Sequence, residues 1–266
     1  MVSRIIKLLI SLGFCPFLLL WRTTLSLFGF RSQPPCVILL YHQVLEGERR
    51  RFAKQMDRLL QLGVPVSLEN PDPTHKWGLQ ISVTFDDGIR NFIQNALPAL
   101  VDRNIPTTIF FPTGYFGKYP DWIYGQDPQD ESRWVMTVEE AVSLAPDLIG
   151  VGSHTVNHKK LNRLTPEEIR TELGDSKTEL EKALGRPVLS IAFPYGEYDD
   201  RVVQASKQAG YLQAYAADPV WTDGYVAGRV DTSPLDWPLE FCLKALGGYR
   251  WLPIAFFLKR LLIARS

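Results

Sequence analysis

The stretch that decides the reading of this chain is Ile81-Ser82-Val83-Thr84-Phe85 followed by Asp86-Asp87-Gly88. A short apolar run of β type ends on two adjacent carboxylates and a glycine. As local structure alone, this is a strand entering an Asp-Gly turn in solvent. Two carboxylates side by side repel, however, and one pKa rises unless a cation sits between them. The functional alternative is one carboxylate holding a metal while its neighbour works as a base. The choice depends on which other ligating side chains the chain brings to the same place.

On either side, apolar runs alternate with helical periodicity. Strands are predicted at Cys36–Tyr41, 81–85, Thr107–Phe111, 149–152, Val188–Phe193, 214–217 and 226–230. Helices are predicted over 48–62, 91–103, 138–144, 165–184, 199–209 and 238–246, the fourth opened by the capping box Thr165-Pro166-Glu167-Glu168. The segment 113–134, rich in Gly, Pro, Tyr and Trp, reads as a long functional loop. Alternating strands and helices predict βα units around a parallel sheet, and in barrel enzymes chemistry collects at the C-terminal strand ends. Those ends carry His42, Asp86-Asp87, Pro112-Thr113, Ser153-His154 and Pro194-Tyr195-Gly196.

The chain has four histidines, His42, His75, His154 and His158. His75 lies in a turn-rich loop and reads as a surface residue. His154 and His158 are four apart, so a helical turn would put both imidazoles on one face. With the paired aspartates they make an Asp/His/His set with an open position for water, the arrangement of a hydrolytic metal site. Imidazole and carboxylate suit Zn²⁺ first, with Fe²⁺, Co²⁺, Ni²⁺ and Mn²⁺ compatible by ligand type.

These motifs, with Tyr41-His42-Gln43-Val44 and Ile191-Ala192-Phe193-Pro194-Tyr195-Gly196, resemble the polysaccharide deacetylase (NodB-homology) family, and within it the exopolysaccharide branch. The resemblance runs from about Val37 to about Val230 and implies a metal-dependent carbohydrate esterase on a distorted (β/α) barrel. It implies that Asp87, His154 and His158 hold the metal and that Asp86 takes a proton from the water the metal acidifies. The backbone N–H of Tyr195 would stabilise the oxyanion. Two features depart from the pattern. Ala192 stands where many members carry the arginine that orients the base, so another group must hold Asp86. No histidine follows His158 to supply the usual late general acid; His42 is the substitute, its alternative being a hydrogen-bonded structural histidine. Trp122, Tyr124 and Trp134 read either as stacking platforms for sugar rings or as local packing. Arg229 and Asp231 follow a strand and read either as pocket lining or, as the safer assumption, as an ordinary surface pair.

Composition bounds the rest. The 266 residues suffice for one sizeable α/β domain, and 29 basic against 29 acidic side chains give no sign of a nucleic-acid partner. Cys15, Cys36 and Cys242 form neither a disulfide framework nor a zinc-ligand spacing and are expected to be buried. Ile5–Leu20 is almost wholly apolar and about 24 Å long as a helix, short of the roughly 30 Å hydrocarbon core. It is expected to span with help from 21–30, to lie in the interface, or to pack as a core helix. The end of the chain, 249–266, is apolar, aromatic and basic, as an interfacial helix would be.

The expected organisation is a membrane-associating segment over 1–33, a catalytic domain over 34–248 and an amphipathic basic helix over 249–266. The expected activity is removal of the N-acetyl group of an amino sugar in a glycan, glycolipid or lipid-linked saccharide, at a bacterial cell membrane whose side is open. A deformylase or O-deacetylase on the same scaffold, or a glycan-binding protein without activity, are the alternatives.

Overall fold

The structure, a computed structural model, describes residues 2–27, 36–68, 79–123, 127–144, 147–220 and 224–255. Helix α1 (Val2–Leu27) precedes strand β1 (Cys36–Tyr41), helix α2 (Arg49–Leu62) and the two-residue strand β2 (Val64–Pro65). Strand β3 (Gln80–Phe85) leads into two short helices, α3 (Asn91–Asn95) and α4 (Leu97–Val101), and then β4 (Thr107–Phe111). The single helix expected over 91–103 is broken at Ala96, just before Pro98, whose ring lacks the N–H a helix interior needs. Then follow α5 (Val138–Ser143), β5 (Ile149–Ser153), α6 (Pro166–Leu184), β6 (Ser190–Ala192), α7 (Asp200–Gln208), β7 (Gln213–Ala216), β8 (Val226–Gly228), β9 (Val230–Asp231) and α8 (Pro238–Ala245).

All strand pairings are parallel, in the order β8-β7-β6-β5-β4-β3-β1-β9, with β2 pairing on β3. The strand expected over 226–230 is in fact two. Its first half pairs with β7 and its second half with β1, so the chain crosses from one edge of the sheet to the other at Arg229 and nearly closes the barrel. Closure hides both edges, and the strands read as continuous apolar runs because both their faces are covered.

The barrel interior holds Ile38, Phe110, Ala192 and Tyr215, while the larger core lies between strands and helices around Tyr41, Phe52, Phe85 and Phe92. Gly152 is what lets Phe110 fill the interior. A Cβ there would come within 2.4 Å of the Phe110 ring and 2.9 Å of Ser190 Oγ. Of the cysteines, Cys15 is buried, whereas Cys36 and Cys242 are half-buried, against expectation.

Among the described residues no helix is long and apolar enough to cross a membrane. The C-terminal segment expected as an interfacial helix lies outside the described residues from 256 onward.

Gly152→Val should destabilise the fold by about 1–3 kcal/mol through overpacking against Phe110. Thermal or urea unfolding of the purified variant measures this, and an unchanged midpoint would contradict the packing described.

Candidate metal and catalytic site

Strand β3 ends inside the barrel mouth, where the Asp86 N–H donates to Tyr41 O at 2.9 Å and brings both aspartates into a buried turn. The backbone here takes a left-handed course that L-residues adopt only when their surroundings impose it. Positive φ occurs at Asp87 (66°), Thr155 (67°), His158 (53°) and Tyr195 (60°), all within the three motifs. Such conformations cost of order 1–3 kcal/mol each and cluster at functional sites.

The histidine loop that follows β5 is not helical, contrary to the premise behind the four-residue spacing. Its shape is set by buried Glu172, which accepts from Val156 N (3.0 Å), Asn157 N (2.7 Å) and Asn157 Nδ2 (2.8 Å). The His158 N–H donates to Thr155 Oγ1 at 3.1 Å and closes the turn. The two imidazoles nevertheless converge, with centroids 4.8 Å apart, and Trp122 stacks on His158 at 3.9 Å. Trp122 is thus committed to packing against a candidate ligand. Trp134 bonds Pro128 O within its own loop, and Tyr124 and His75 lie outside the described residues.

The donor atoms face one another. Asp87 Oδ1 lies 3.3 Å from His158 Nε2 and 3.7 Å from His154 Nε2, and one ligand atom from each of the three residues falls within 4.8 Å of the others. His154 Nδ1 lies 2.7 Å from Ala192 O, which can only accept. In the neutral ring Nδ1 therefore carries the proton and Nε2 turns its lone pair toward the carboxylate. Asp87 Oδ1 is itself buried without a hydrogen bond. Lone pairs aimed at a common point, with an orphaned carboxylate oxygen among them, are the arrangement a divalent cation satisfies. The residues fit the expected metal.

The two aspartates have been driven apart. Burial is the largest single influence on Asp86 and pushes it up, but the charge of Arg229, then His154, the hydrogen bonds of Arg229 and His42 together outweigh it and hold the carboxyl at about 2. Burial raises Asp87, whose partial relief comes from His42 and His154. His158 is lowered to about 2, chiefly by burial and then by His154, so its ring is neutral and free to ligate.

Arg229 falls to the pocket-lining alternative and not to the surface pair that was the safer assumption. It is fully buried, and its Nη1 and Nη2 each donate to one oxygen of Asp86 at 2.7 Å. Its Nε donates to Ala216 O at 3.0 Å and its guanidinium lies 5.3 Å from the centre of the Phe110 ring. The group that holds Asp86 thus enters from the barrel's closing strand. Ala192, the position without arginine, belongs to the same buried cluster as Phe110. The one signal in the sequence was the lack itself: a buried aspartate pair requires a cation, and Ala192 cannot be it.

His42, just past β1, is exposed at the mouth, and its charge is felt by Asp86, Asp87 and His158. Tyr195 is half exposed in the Pro194–Gly196 turn, its ring 4.7 Å from His158 and 4.9 Å from Lys160 Nζ. Asp231, the other half of the supposed surface pair, is exposed.

Residues 78–214, about half of the chain, match the family model described as polysaccharide deacetylase. Three relatives are similar in sequence. YxkH of Bacillus subtilis (strain 168), whose name assigns it provisionally to the polysaccharide deacetylases, is 26% identical over 68% of this chain and 64% of its own length. Chitin deacetylase 1 of Cryptococcus neoformans var. grubii serotype A is 28% identical over 65% of this chain and 31% of its length. Peptidoglycan-N-acetylmuramic acid deacetylase PdaA of Bacillus subtilis (strain 168) is 22% identical over 57% and 49%. The chain thus spans less than two thirds of each of these relatives. Among solved structures, IcaB from Ammonifex degensii superposes with a TM-score of 0.67 at 23% identity, covering 80% of this chain and 98% of that one. The Streptococcus pyogenes deacetylase PplD gives 0.61 at 21%, covering 77% and 94%. At these identities the structures attest the fold.

Arg229→Met should cost about 3–5 kcal/mol of stability, because Asp86 is left buried and unpaired, and the further change Asp86→Asn should recover much of it. A double-mutant cycle in urea measures this; additive losses would sink the pairing. Metal loading gives a second check. The raised carboxyl of Asp87 binds a cation only after losing its proton, so Zn²⁺ binding to metal-free protein should release more protons at pH 5 than at pH 7. Calorimetry in buffers of different ionisation enthalpy reads this directly.

Proposed function

Because the chain belongs to the polysaccharide deacetylase family, we propose that it hydrolyses the N-acetyl group of an amino sugar in a glycan, glycolipid or lipid-linked saccharide, with a divalent metal. The observation that carries this reading is the convergence of Asp87, His154 and His158 beside a separately clamped Asp86. Two relatives named for chitin and for peptidoglycan N-acetylmuramic acid support amino sugars as the substrate class.

In this reading Asp87, His154 and His158 hold the ion, and the donor set favours Zn²⁺. When bound, the ion supplies Lewis acidity toward the carbonyl oxygen and acidifies water. Asp86 accepts the proton of the attacking water. Arg229 keeps it ionised and fixes both oxygens, and a carboxylate held that low is a weak base, which is why its water needs acidifying. The Tyr195 backbone N–H is assigned to the tetrahedral oxyanion. His42, exposed at the mouth and close enough to act on the site electrostatically, is assigned the proton for the departing amine.

The test is acetate and amine release from N-acetylated glycans and lipid-linked amino sugars, using chelated protein with metal add-back. Release should need the metal. Asp86→Asn should lower kcat by about 10²–10⁴-fold while leaving the bound metal in place. Full turnover in Asp86→Asn would refute the assignment, and formate release in place of acetate would favour the deformylase reading.

A further inference from the structure

Helix α1 is built the wrong way round for a helix in water. Its outward residues are Ile5, Ile6, Leu9, Ile10, Leu12 and Phe17, with Leu9 and Phe17 exposed to 63% and 61%. At 100° per residue these fall within an arc of roughly 160°. The opposite side faces the protein and carries Arg4, Ser11 and Cys15. Arg4 Nε donates to Glu240 Oε2 at 2.8 Å and its guanidinium lies 4.6 Å from the Trp237 ring centre. Buried Ser11 Oγ accepts from Trp251 Nε1 at 2.9 Å, and Cys15 is buried near Gly248. The docked side thus carries Arg4 and Ser11 beside the apolar Leu8 and Cys15, and the outward side is exposed apolar surface among the described residues.

Exposed apolar residues continue beside it. Leu235, Trp237, Leu239 and Ile254 are each 43–48% exposed, on or near the segments that α1 touches. Next to Leu235 and Trp237 a groove of about 600 Å³ runs along α2, with Arg51, Lys54 and Arg58 on its wall. Its acids are already engaged: Asp57 by Arg103, and Asp236 by Lys244. Neither Arg51 nor Lys54 has an anionic partner among the described residues.

We propose that this face docks the protein, without spanning, onto a bilayer containing anionic lipid. The outward side of α1, with Trp237 and Leu239, enters the interface, and the Arg51–Lys54–Arg58 groove receives lipid phosphates. An apolar stripe bordered by an aromatic and by unpaired cations matches the layering of acyl chain, headgroup and anionic surface. A second copy of this chain would match the apolar stripe, but the acids its groove could offer Arg51 and Lys54, Asp57 and Asp236, are already engaged. The segment Thr232–Trp237 that anchors Arg4 follows the C-terminal end of β9, so the Arg4 end of the docked face lies toward the catalytic mouth.

The full chain, with Leu9→Glu/Phe17→Glu and Arg51→Glu/Lys54→Glu variants, is floated with vesicles of phosphatidylcholine alone or with one third phosphatidylglycerol. Wild type should float with the mixed vesicles. The first variant should lose at least tenfold of its bound fraction with an unchanged melting temperature in lipid-free buffer. The second should lose its preference for phosphatidylglycerol. Wild type that stays with the lipid-free protein overturns the proposal. So does undiminished flotation of Leu9→Glu/Phe17→Glu, or a wild-type dimer that this variant converts to monomer. A fall in its lipid-free melting temperature would overturn it too, by showing that the chain itself buries this face.

Discussion

A guanidinium and a carboxylate, both removed from water, meet where the barrel closes. Arg229 sits between the strand halves that pair with opposite edges of the sheet, so its position is fixed by closure, and its two hydrogen bonds to Asp86 tie that closure to the β3 turn. The pair is expensive to bury, because each ion loses several kcal/mol of hydration, and only bidentate geometry with further hydrogen bonds repays this. Arg229 has them: Nε is satisfied by Ala216 O and the planar face rests against Phe110. A hydrophobic pair of equal volume would stabilise the barrel as well. What it would not do is hold a carboxylate ionised at a fixed place beside a second carboxylate.

That second carboxylate shows why the pairing matters. Asp86 and Asp87 are neighbours in sequence and equally buried, yet burial wins at Asp87 and loses at Asp86. The difference is the cation. One aspartate has its own positive partner within the fold, while the other has an unsatisfied oxygen turned toward two imidazole nitrogens. Division of labour between adjacent carboxylates follows from environment, as it does wherever one fold must present a base and a ligand together. The left-handed backbone at Asp87, Thr155, His158 and Tyr195 belongs to the same constraint, since extended or helical geometry would turn these groups elsewhere.

Most of this was legible in the sequence where the signal was local. Strands β1, β3, β4 and β5 stand within a residue of their apolar runs, and the residues at their C-terminal ends do gather at one mouth. The convergence of Asp87, His154 and His158 was legible because histidine is scarce here and falls at strand ends. Failures came where local pattern and tertiary structure part. The His154–His158 spacing suggested a helix, but the buried Glu172, fourteen residues beyond, shapes a loop that reaches the same convergence. Arg229 and Asp86 are 143 positions apart and meet only through closure, which no periodicity encodes. The 226–230 run read as one strand because nothing in its composition records that its halves pair with different neighbours.

The first helix makes the same point at the level of a face. Hydropathy registers that Ile5–Leu20 is apolar; it does not say which side meets the protein. That is decided by what the protein offers. The surface under α1 carries buried Glu240 and Lys244 and half-buried Asp236, already paired, with Lys244 Nζ 2.7 Å from Asp236. Two acids and one lysine leave a negative balance in a poorly solvated place, and burial accordingly pushes Asp236 up against the pull of Lys244. Arg4 supplies the missing charge, so the helix must present its Arg4 side inward. Because Ser11, Cys15 and the core-packed Leu8 share that side, Ile5, Ile6, Leu9, Ile10, Leu12 and Phe17 are left facing outward. The bare stripe is thus a consequence of charge balance underneath it, and a helix fixed by that balance offers its apolar residues as a rigid surface.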